Sequence, residues 1–335
     1  MRQMQIAAPG GLDNLVMVDA PETPPPGPGE IRVRIRASSL NFHDLIVASR
    51  PDWVADGRIP LADGAGVVDS VGAGVEGFAP GDHVVSGFFP QWLEGPDMPG
   101  DFSGTPGDGI DGFAREWVTL PATAFTLSPK GWSHAEAATI TTAGLTAWRA
   151  LVVNGGLKAG ETVLVLGTGG VSIYALQIAK AMGARVIATS SSDAKLERVR
   201  ALGAEAVINY RTTPDWGAEV RALTGGRGVD HVIEVGGPAT LEQSIAAARI
   251  GGHISLIGVL TGRSGEVPTS ALMARQQRLQ GLIVGSRRHQ TEFVAALDAT
   301  GLRPVIDREF PLDELREAFE WQAAGSHFGK IVVSV

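Results

Sequence analysis

The chain has 335 residues, long for one core and sufficient for two. A 44% hydrophobic and 19% charged composition excludes a disordered chain, and a net charge of −8 with no basic run argues against a nucleic-acid partner. Cysteine is absent, which excludes disulfides, thiolate catalysis and every cysteine-ligated metal. The apolar runs, such as Thr162–Leu166, stop far short of the roughly 20 residues a membrane span needs. The opening MRQMQIAAPGG has no apolar core of a secretory signal, so a cytoplasmic location is expected.

Residues 1–125 read as strand-rich. Glu30–Arg36 alternates apolar and charged with period two, as a half-buried strand does, and follows a Pro-rich turn over Pro21–Gly29 that cannot be helix. Asp63–Asp69 and Asp82–Ser86 read as further strands between glycine turns. Gly87–Gly112 is a long Pro/Gly-rich loop carrying Phe88, Phe89, Trp92 and Phe102. From about residue 140 the rhythm becomes strand–helix alternation. Strands are expected at Thr162–Gly167, Arg185–Thr189, Ala206–Asn209, His231–Val235, His253–Gly258 and Leu282–Gly285, with helices at Val171–Met182 and Asp193–Leu202. Apolar strands alternating with helices predict a parallel sheet covered on both faces, and six of them match the doubly wound dinucleotide fold. The tail, with helices at Thr291–Ala299 and Leu312–Ala323 and a strand at Lys330–Val335, is assigned back to the first domain, because six strands already complete the nucleotide unit. The expected boundaries are 1–128, 129–286 and 287–335.

Gly167-Thr168-Gly169-Gly170-Val171 sits between a strand and a helix, where a glycine loop brings backbone N–H groups and the helix dipole to a pyrophosphate. Ser172 stands at the fingerprint's third glycine and is small enough to pack there. NAD sites place an acid about 20 residues on to bond the ribose hydroxyls. That position falls in Thr189-Ser190-Ser191-Ser192, with no acid before Asp193. Hydroxyls with Lys195, and Tyr210 beside Arg211, suit a 2′-phosphate, so NADPH is the expected cofactor; the competing reading makes Lys195 and Arg211 solvated charges.

The chain resembles the medium-chain dehydrogenase/reductase superfamily, in its zinc-free quinone-oxidoreductase-like branch. The markers are Ala62–Val68, Pro80–Val84, Ala143–Ala147, Gly167–Val171, Arg200–Ala204 and Ile208–Tyr210. The resemblance implies an α/β architecture in which a six-stranded Rossmann domain is inserted into a GroES-like β-barrel domain. Zinc-dependent members hold a catalytic metal with two cysteines and a histidine; those positions fall here at Asn41, Ala62 and about Thr139, none of them a thiolate or imidazole. No metal is therefore expected.

Without a Lewis acid nothing lowers a hydroxyl pKa, whereas a quinone or α,β-unsaturated carbonyl takes hydride directly. A metal-free, NADPH-dependent reductase of such an apolar small molecule is the expected function. The alternatives are an NADPH-binding protein with little catalysis and a metal-free alcohol or aldehyde oxidoreductase. The resemblance places Asn41 and Asp44 beside the nicotinamide as the catalytic pair; read locally, Asn41 caps a helix with Asp44 in its first turn. His43 and Asp63 are possible proton donors, and neither is assigned. Thr142, Thr146 and Lys330 are further cofactor candidates by resemblance, Lys330 for a phosphate or the adenine ribose with a plain place at the start of the last strand as the competing reading. Val235, Gly258, Val259, Val284 and Gly285, at or beside the ends of the later strands, complete that set. Trp53, Phe88, Phe89 and Trp92 are the candidate substrate pocket, with loop packing as the competing reading. An apolar edge strand at Leu282–Gly285 suggests a homodimer.

Overall fold

The computed structural model, which describes residues 1–96 and 98–335, divides the chain after Leu145 and again after Ile283. The first unit, Met1–Leu145 with Val284–Val335, opens with β1 (Arg2–Ile6) and β2 (Leu15–Asp19), an antiparallel pair. β3 (Glu30–Ser39) follows the Pro-rich turn. Its Ile31, Val33, Ile35 and Ala37 are buried while the intervening arginines face outward, so the alternation read from sequence is the burial pattern observed. Helix α1 (Phe42–Ser49) comes next, then β4 (Ala65–Val71), β5 (His83–Ser86), β6 (Trp117–Pro121), β7 (Phe125–Leu127) and α2 (His134–Ala138).

Ten residues let β3 serve three neighbours. It pairs β4 on one side; on the other, Glu30–Arg34 pair β6 and Ala37–Ser39 meet the last strand of the chain. Between β5 and β6 the loop 87–112 has neither helix nor extended strand among its described residues.

Helix α3 (Leu145–Trp148) lies within a longer helical stretch, Ile140–Asn154, at the unit boundary. The second unit, Thr146–Ile283, carries β8 (Thr162–Leu166), α4 (Gly170–Ala181), β9 (Arg185–Ser190), α5 (Asp193–Ala201), β10 (Ala206–Asn209), α6 (Trp216–Leu223), β11 (Val229–Glu234), α7 (Pro238–Ala247), β12 (Ala248–Leu256), α8 (Thr269–Ala274) and β13 (Arg278–Gly281). The strands form one parallel sheet in the order β10-β9-β8-β11-β12-β13. This is the doubly wound arrangement the alternation predicts. Every residue of β8 is buried, as a central parallel strand covered on both faces requires.

The chain then returns to the first unit with α9 (Arg287–Thr300), β14 (Ile306–Pro311), α10 (Leu315–Ala323) and β15 (Lys330–Ser334). β15 lies between β14 and β3 in the seven-stranded sheet. Its Ile331 and Val333 join Met4, Ile6, Val47, Leu61, Leu315 and Phe319 in one core, which binds the two ends of the chain into one body. No helix among the described residues is long and apolar enough to cross a membrane.

Two expectations shift. The sixth strand is Arg278–Gly281, not Leu282–Gly285: an edge strand needs no apolar run, and Val284 adopts a positive φ of 43° that ends extended pairing. The units divide at 145/146 and 283/284 rather than 128/129 and 286/287, because α2 packs on β3, β4, β5 and β15 and so belongs with the first unit.

Candidate functional site

In the second unit, β8 is followed by Gly167, whose φ of 74° turns the chain sharply while its N–H bonds Thr189 O at 2.9 Å. Thr168 is buried, and Gly169 is the N-cap of α4, with no side chain capping the first turn. Helices α2, α5 and α9 each receive a serine cap, from Ser133, Ser192 and Ser286. A Cβ on Gly169 would meet nothing within 4 Å, so the glycine leaves open space beside the helix end of Gly170 and Val171. These are the features a pyrophosphate requires: uncapped N–H groups, a helix dipole and room for approach. Ser172 donates to Leu166 O at 2.6 Å and locks helix to strand, the packing its small size predicts.

At the ends of β9 and β10, the buried Ser190 hydroxyl accepts the Ser192 N–H at 3.3 Å, and Ser190 O accepts the Tyr210 N–H at 3.1 Å. Ser191 and Lys195 are half-buried beside them, and the Tyr210 side chain is exposed. The one nearby acid, Asp193, accepts from Asn209 Nδ2 at 2.7 Å. Further along the same sheet edge, a Cβ on Gly258 would fall 2.2 Å from Val235 O, so only glycine lets these two loops meet; Val259 follows, exposed. The residue that shapes this region and that sequence reasoning missed is Glu234. Its fully buried carboxylate accepts from Gly236 N at 2.8 Å, Gly237 N at 3.0 Å and Thr240 Oγ1 at 2.6 Å, and also from Ser244 Oγ. An acid closing an apolar strand just before Gly-Gly-Pro was the available signal.

The first unit buries a polar cluster. Asn41, the N-cap of α1, donates from Nδ2 to Asp63 Oδ2 at 2.8 Å and to Asp44 Oδ2 at 3.1 Å. Its Oδ1 accepts from the Lys330 ammonium at 2.7 Å, which fixes the amide orientation, since the flipped amide would oppose N–H groups to a cation. Lys330 also donates to Leu40 O at 2.7 Å and lies 3.6 Å from Asp63. Asp63 accepts from Ser39 Oγ at 2.5 Å and from Thr142 Oγ1 at 2.6 Å. Asp44 accepts the N–H groups of Asn41 at 2.8 Å and Ala62 at 2.9 Å.

Burial first, and next the Asp63 carboxylate, push Asp44 up to about 6 against the opposing pull of His43, the Ala62 N–H and Lys330. Burial likewise holds Lys330 below the usual lysine range, with Asp63 and Asp44 acting the other way.

This geometry corrects three expectations. Both hydrogens of the Asn41 amide are spent within the unit, so Asn41 is a positioning group and helix cap rather than a free donor to ribose or substrate. Lys330 points into the cluster, 3% exposed, rather than toward a phosphate or adenine ribose. The third position of the cluster is Thr142, not Thr139, one helical turn earlier, whose hydroxyl donates to Glu136 O at 2.6 Å. Thr142 is half-buried and is the cluster's least enclosed member.

A zinc ion does not fit these residues: an amide, a methyl group and a hydroxyl stand at Asn41, Ala62 and Thr142, and an ammonium already neutralises the carboxylates. Among the described residues no three His, Asp or Glu side chains form a metal-binding group.

Phe88, Phe89 and Trp92 are buried. Phe88 and Phe89 meet edge to face at 4.8 Å, Phe102 lies tilted against the His43 ring at 4.5 Å, and the Trp92 indole donates to Gly95 O at 3.1 Å. These rings form the loop's own core. Trp53 stands 37% exposed with the Arg50 guanidinium over its ring. His43 Nε2 lies 3.1 Å from Asp108 Oδ2. Thr146 is buried at the start of the second unit; Val284 is buried and Gly285 abuts the Leu145 side chain, both in the first.

Comparison with known proteins agrees with both units. A family model described as alcohol dehydrogenase GroES-like domain matches residues 27–130, and one described as zinc-binding dehydrogenase matches residues 170–300. A zinc-type alcohol dehydrogenase-like protein of Schizosaccharomyces pombe is 42% identical over 319 residues, 92% of this chain and 91% of its own length. The solved structure of an NAD-dependent alcohol dehydrogenase is 38% identical, with a TM-score of 0.89 and full coverage of both chains. A crotonyl-CoA carboxylase/reductase, AntE, solved in complex with NADP, is 26% identical, with a TM-score of 0.89 over 100% of this chain and 94% of its own.

Proposed function

The chain belongs to the medium-chain dehydrogenase/reductase superfamily and is an oxidoreductase of the kind that uses NAD or NADP, and from that premise we propose that it reduces a quinone or an α,β-unsaturated carbonyl with NADPH and without zinc. The observation that carries the reading is the pairing of an uncapped α4, opening from Gly167–Gly170, with a donor set at the Asn41, Ala62 and Thr142 positions that suits no metal.

The first half selects the cofactor. Gly167, Gly169 and Gly170 admit the pyrophosphate to the α4 N–H groups, and Ser190, Ser191, Lys195 and Tyr210 take the 2′-phosphate where an acid would repel it. When bound, the dinucleotide supplies the hydride. AntE, named for a reaction of an α,β-unsaturated thioester and solved with NADP, supports both parts of the reading.

The second half selects the acceptor. Oxidising an unactivated alcohol needs a group that stabilises an alkoxide, and no Lewis acid is built here. An activated acceptor spreads the incoming charge onto an oxygen that needs only hydrogen bonding. The Thr142 hydroxyl gives its one hydrogen to Asp63, which Asn41 and Lys330 hold in position, so the final proton for that oxygen comes from water. Phe88 and Phe89 give the neighbouring loop a stiff apolar core.

The chain is therefore expected to consume NADPH with p-benzoquinone or an enone, at a rate unchanged by a chelator, and loss of activity with EDTA restored by zinc overturns the reading. Lys195→Met should weaken NADPH about tenfold and leave NADH unaffected, the size of one charge-assisted hydrogen bond. A second reading, oxidation of an alcohol with NAD, is favoured by the names of the alcohol dehydrogenase relatives; tighter binding of NADH than of NADPH, with turnover of alcohols, selects it.

A further inference from the structure

The N-terminal edge of the parallel sheet, opposite the glycine loop, holds a cavity of about 310 Å3 lined by the turn before β8 and the first residues of β11, β12 and β13. Ligands of doubly wound sheets gather at the carboxyl ends of the strands. Nothing in the dinucleotide reading uses the other edge.

Three cations line the cavity, Lys158, Arg249 and Arg278, with two carboxylates, Glu161 and Asp230. Both carboxylates are engaged within the protein. Burial opposes ionisation of Asp230, but hydrogen bonds from Arg227, the Thr162 N–H and Arg249 hold it well below the usual carboxylate range. Glu161 accepts the Lys158 N–H at 2.9 Å and pairs with His231 Nε2 at 2.9 Å. The cations are less fully used. Arg249 spends Nε on Asp230 and Nη1 on Ile250 O, and Arg278 spends Nε on His253 Nδ1 and Nη2 on Asn154 O. One amino group of each guanidinium and the exposed Lys158 ammonium have no acceptor among the described residues.

Two buried histidines complete the arrangement. His253, 4% exposed, accepts the Arg278 Nε–H at Nδ1, so its proton sits on Nε2, an atom without a partner. Burial first, then Arg278 and His231, hold His253 down to about 4, so this ring stays neutral at physiological pH with that N–H directed outward from the Arg278 contact. His231, 5% exposed, leaves Nδ1 buried without a partner, packed close to Gly155, where a Cβ would come within 3.0 Å of that nitrogen. Buried polar atoms without partners are costly in a folded chain, and two of them on residues that line one cationic cavity point to a ligand.

We propose that this cavity binds a phosphate group carried by a small metabolite, held by Lys158, Arg249, Arg278 and the His253 N–H, with His231 Nδ1 meeting a phosphate oxygen. A phosphate offers three oxygens to the donors and, when singly protonated, an O–H for His231, whereas a carboxylate offers two oxygens and no O–H at neutral pH. The volume lies at the lower end of small-molecule sites, room for the phosphate and a short carbon skeleton.

The test follows the ring 15N resonances of His231 and His253 as the full chain is titrated with inorganic phosphate, glycerol 3-phosphate or acetate at constant ionic strength. Saturable shifts of both rings with the phosphates, weakened about tenfold in Lys158→Met, are expected. The exposed Lys158 can be replaced without disturbing the core, and NADPH affinity should be unchanged in that variant because the glycine loop lies at the opposite strand ends. Phosphate taken up only at the glycine loop leaves both rings unmoved and overturns the proposal. Acetate binding as tight as phosphate, or wild-type phosphate affinity in Lys158→Met, overturns it as well.

Discussion

The buried cluster of the first unit and the glycine loop of the second hold polar groups of similar kind and treat them in opposite ways. Around Asp63 the serine, threonine and amide donors and the Lys330 ammonium are turned on one another, and Asn41 has no hydrogen left to give. Around Gly169 the helix end is left without a cap. The difference teaches that availability, more than residue type, separates a group that binds a ligand from one that holds the protein together. Asn41 has the right chemistry for a substrate oxygen and is committed elsewhere; Gly169 has no side chain and leaves the helix end open.

Three measurements can break or sharpen that contrast. Lys330→Met removes the one cation bonded within the cluster and leaves two buried carboxylates facing each other. A loss of about 3–5 kcal/mol in urea unfolding is expected, the cost of breaking a buried charge pair; an unchanged midpoint would mean that hydrogen bonds alone hold the cluster. Asp44 supplies the next effect. Its folded-state pKa is about 6 against an ordinary 3.8, so between these values the folded state binds more protons than the unfolded one, and stability falls as pH rises through that window. The fall amounts to up to about 3 kcal/mol, and the Asp44→Asn variant should lack it. Equal pH slopes for the two proteins would remove Asp44 from the account. Third, Gly169→Asp places a carboxylate where the pyrophosphate is expected. Because a side chain there meets nothing and φ is an ordinary −76°, the melting temperature should hardly move while NADPH affinity falls about a hundredfold. A large stability loss with intact binding would reverse the roles given to the two regions.

Regions whose periodicity reports burial were legible in the sequence. β3 shows its alternation because one face is core and the other solvent, and β8 shows an apolar run because both faces are covered. β13 was misplaced because an edge strand with Arg278 and Gln280 carries neither pattern. The glycine loop was readable because its parts are contiguous from Gly167 to Ser172. The cluster was readable only in fragments. Asn41 and Lys330 lie 289 residues apart, and no local pattern says that a lysine opening the last strand will bond the cap of the first helix. The same holds for Thr142, where an offset of one helical turn moves a hydroxyl from Glu136 O to Asp63.

The placement of β15 beside β3 has a consequence for how the protein is made. The strand that delivers Lys330 is translated 289 residues after Asn41, and its Ile331 and Val333 fill a core already lined by Met4, Ile6 and Val47. Until those residues emerge, Asp44 and Asp63 lack the Lys330 ammonium and β3 lacks a neighbour for Ala37–Ser39. The second unit, by contrast, is complete in sequence by Ile283 and can fold before β15 emerges. Deleting β15 should therefore cost the first unit its fold while sparing the second.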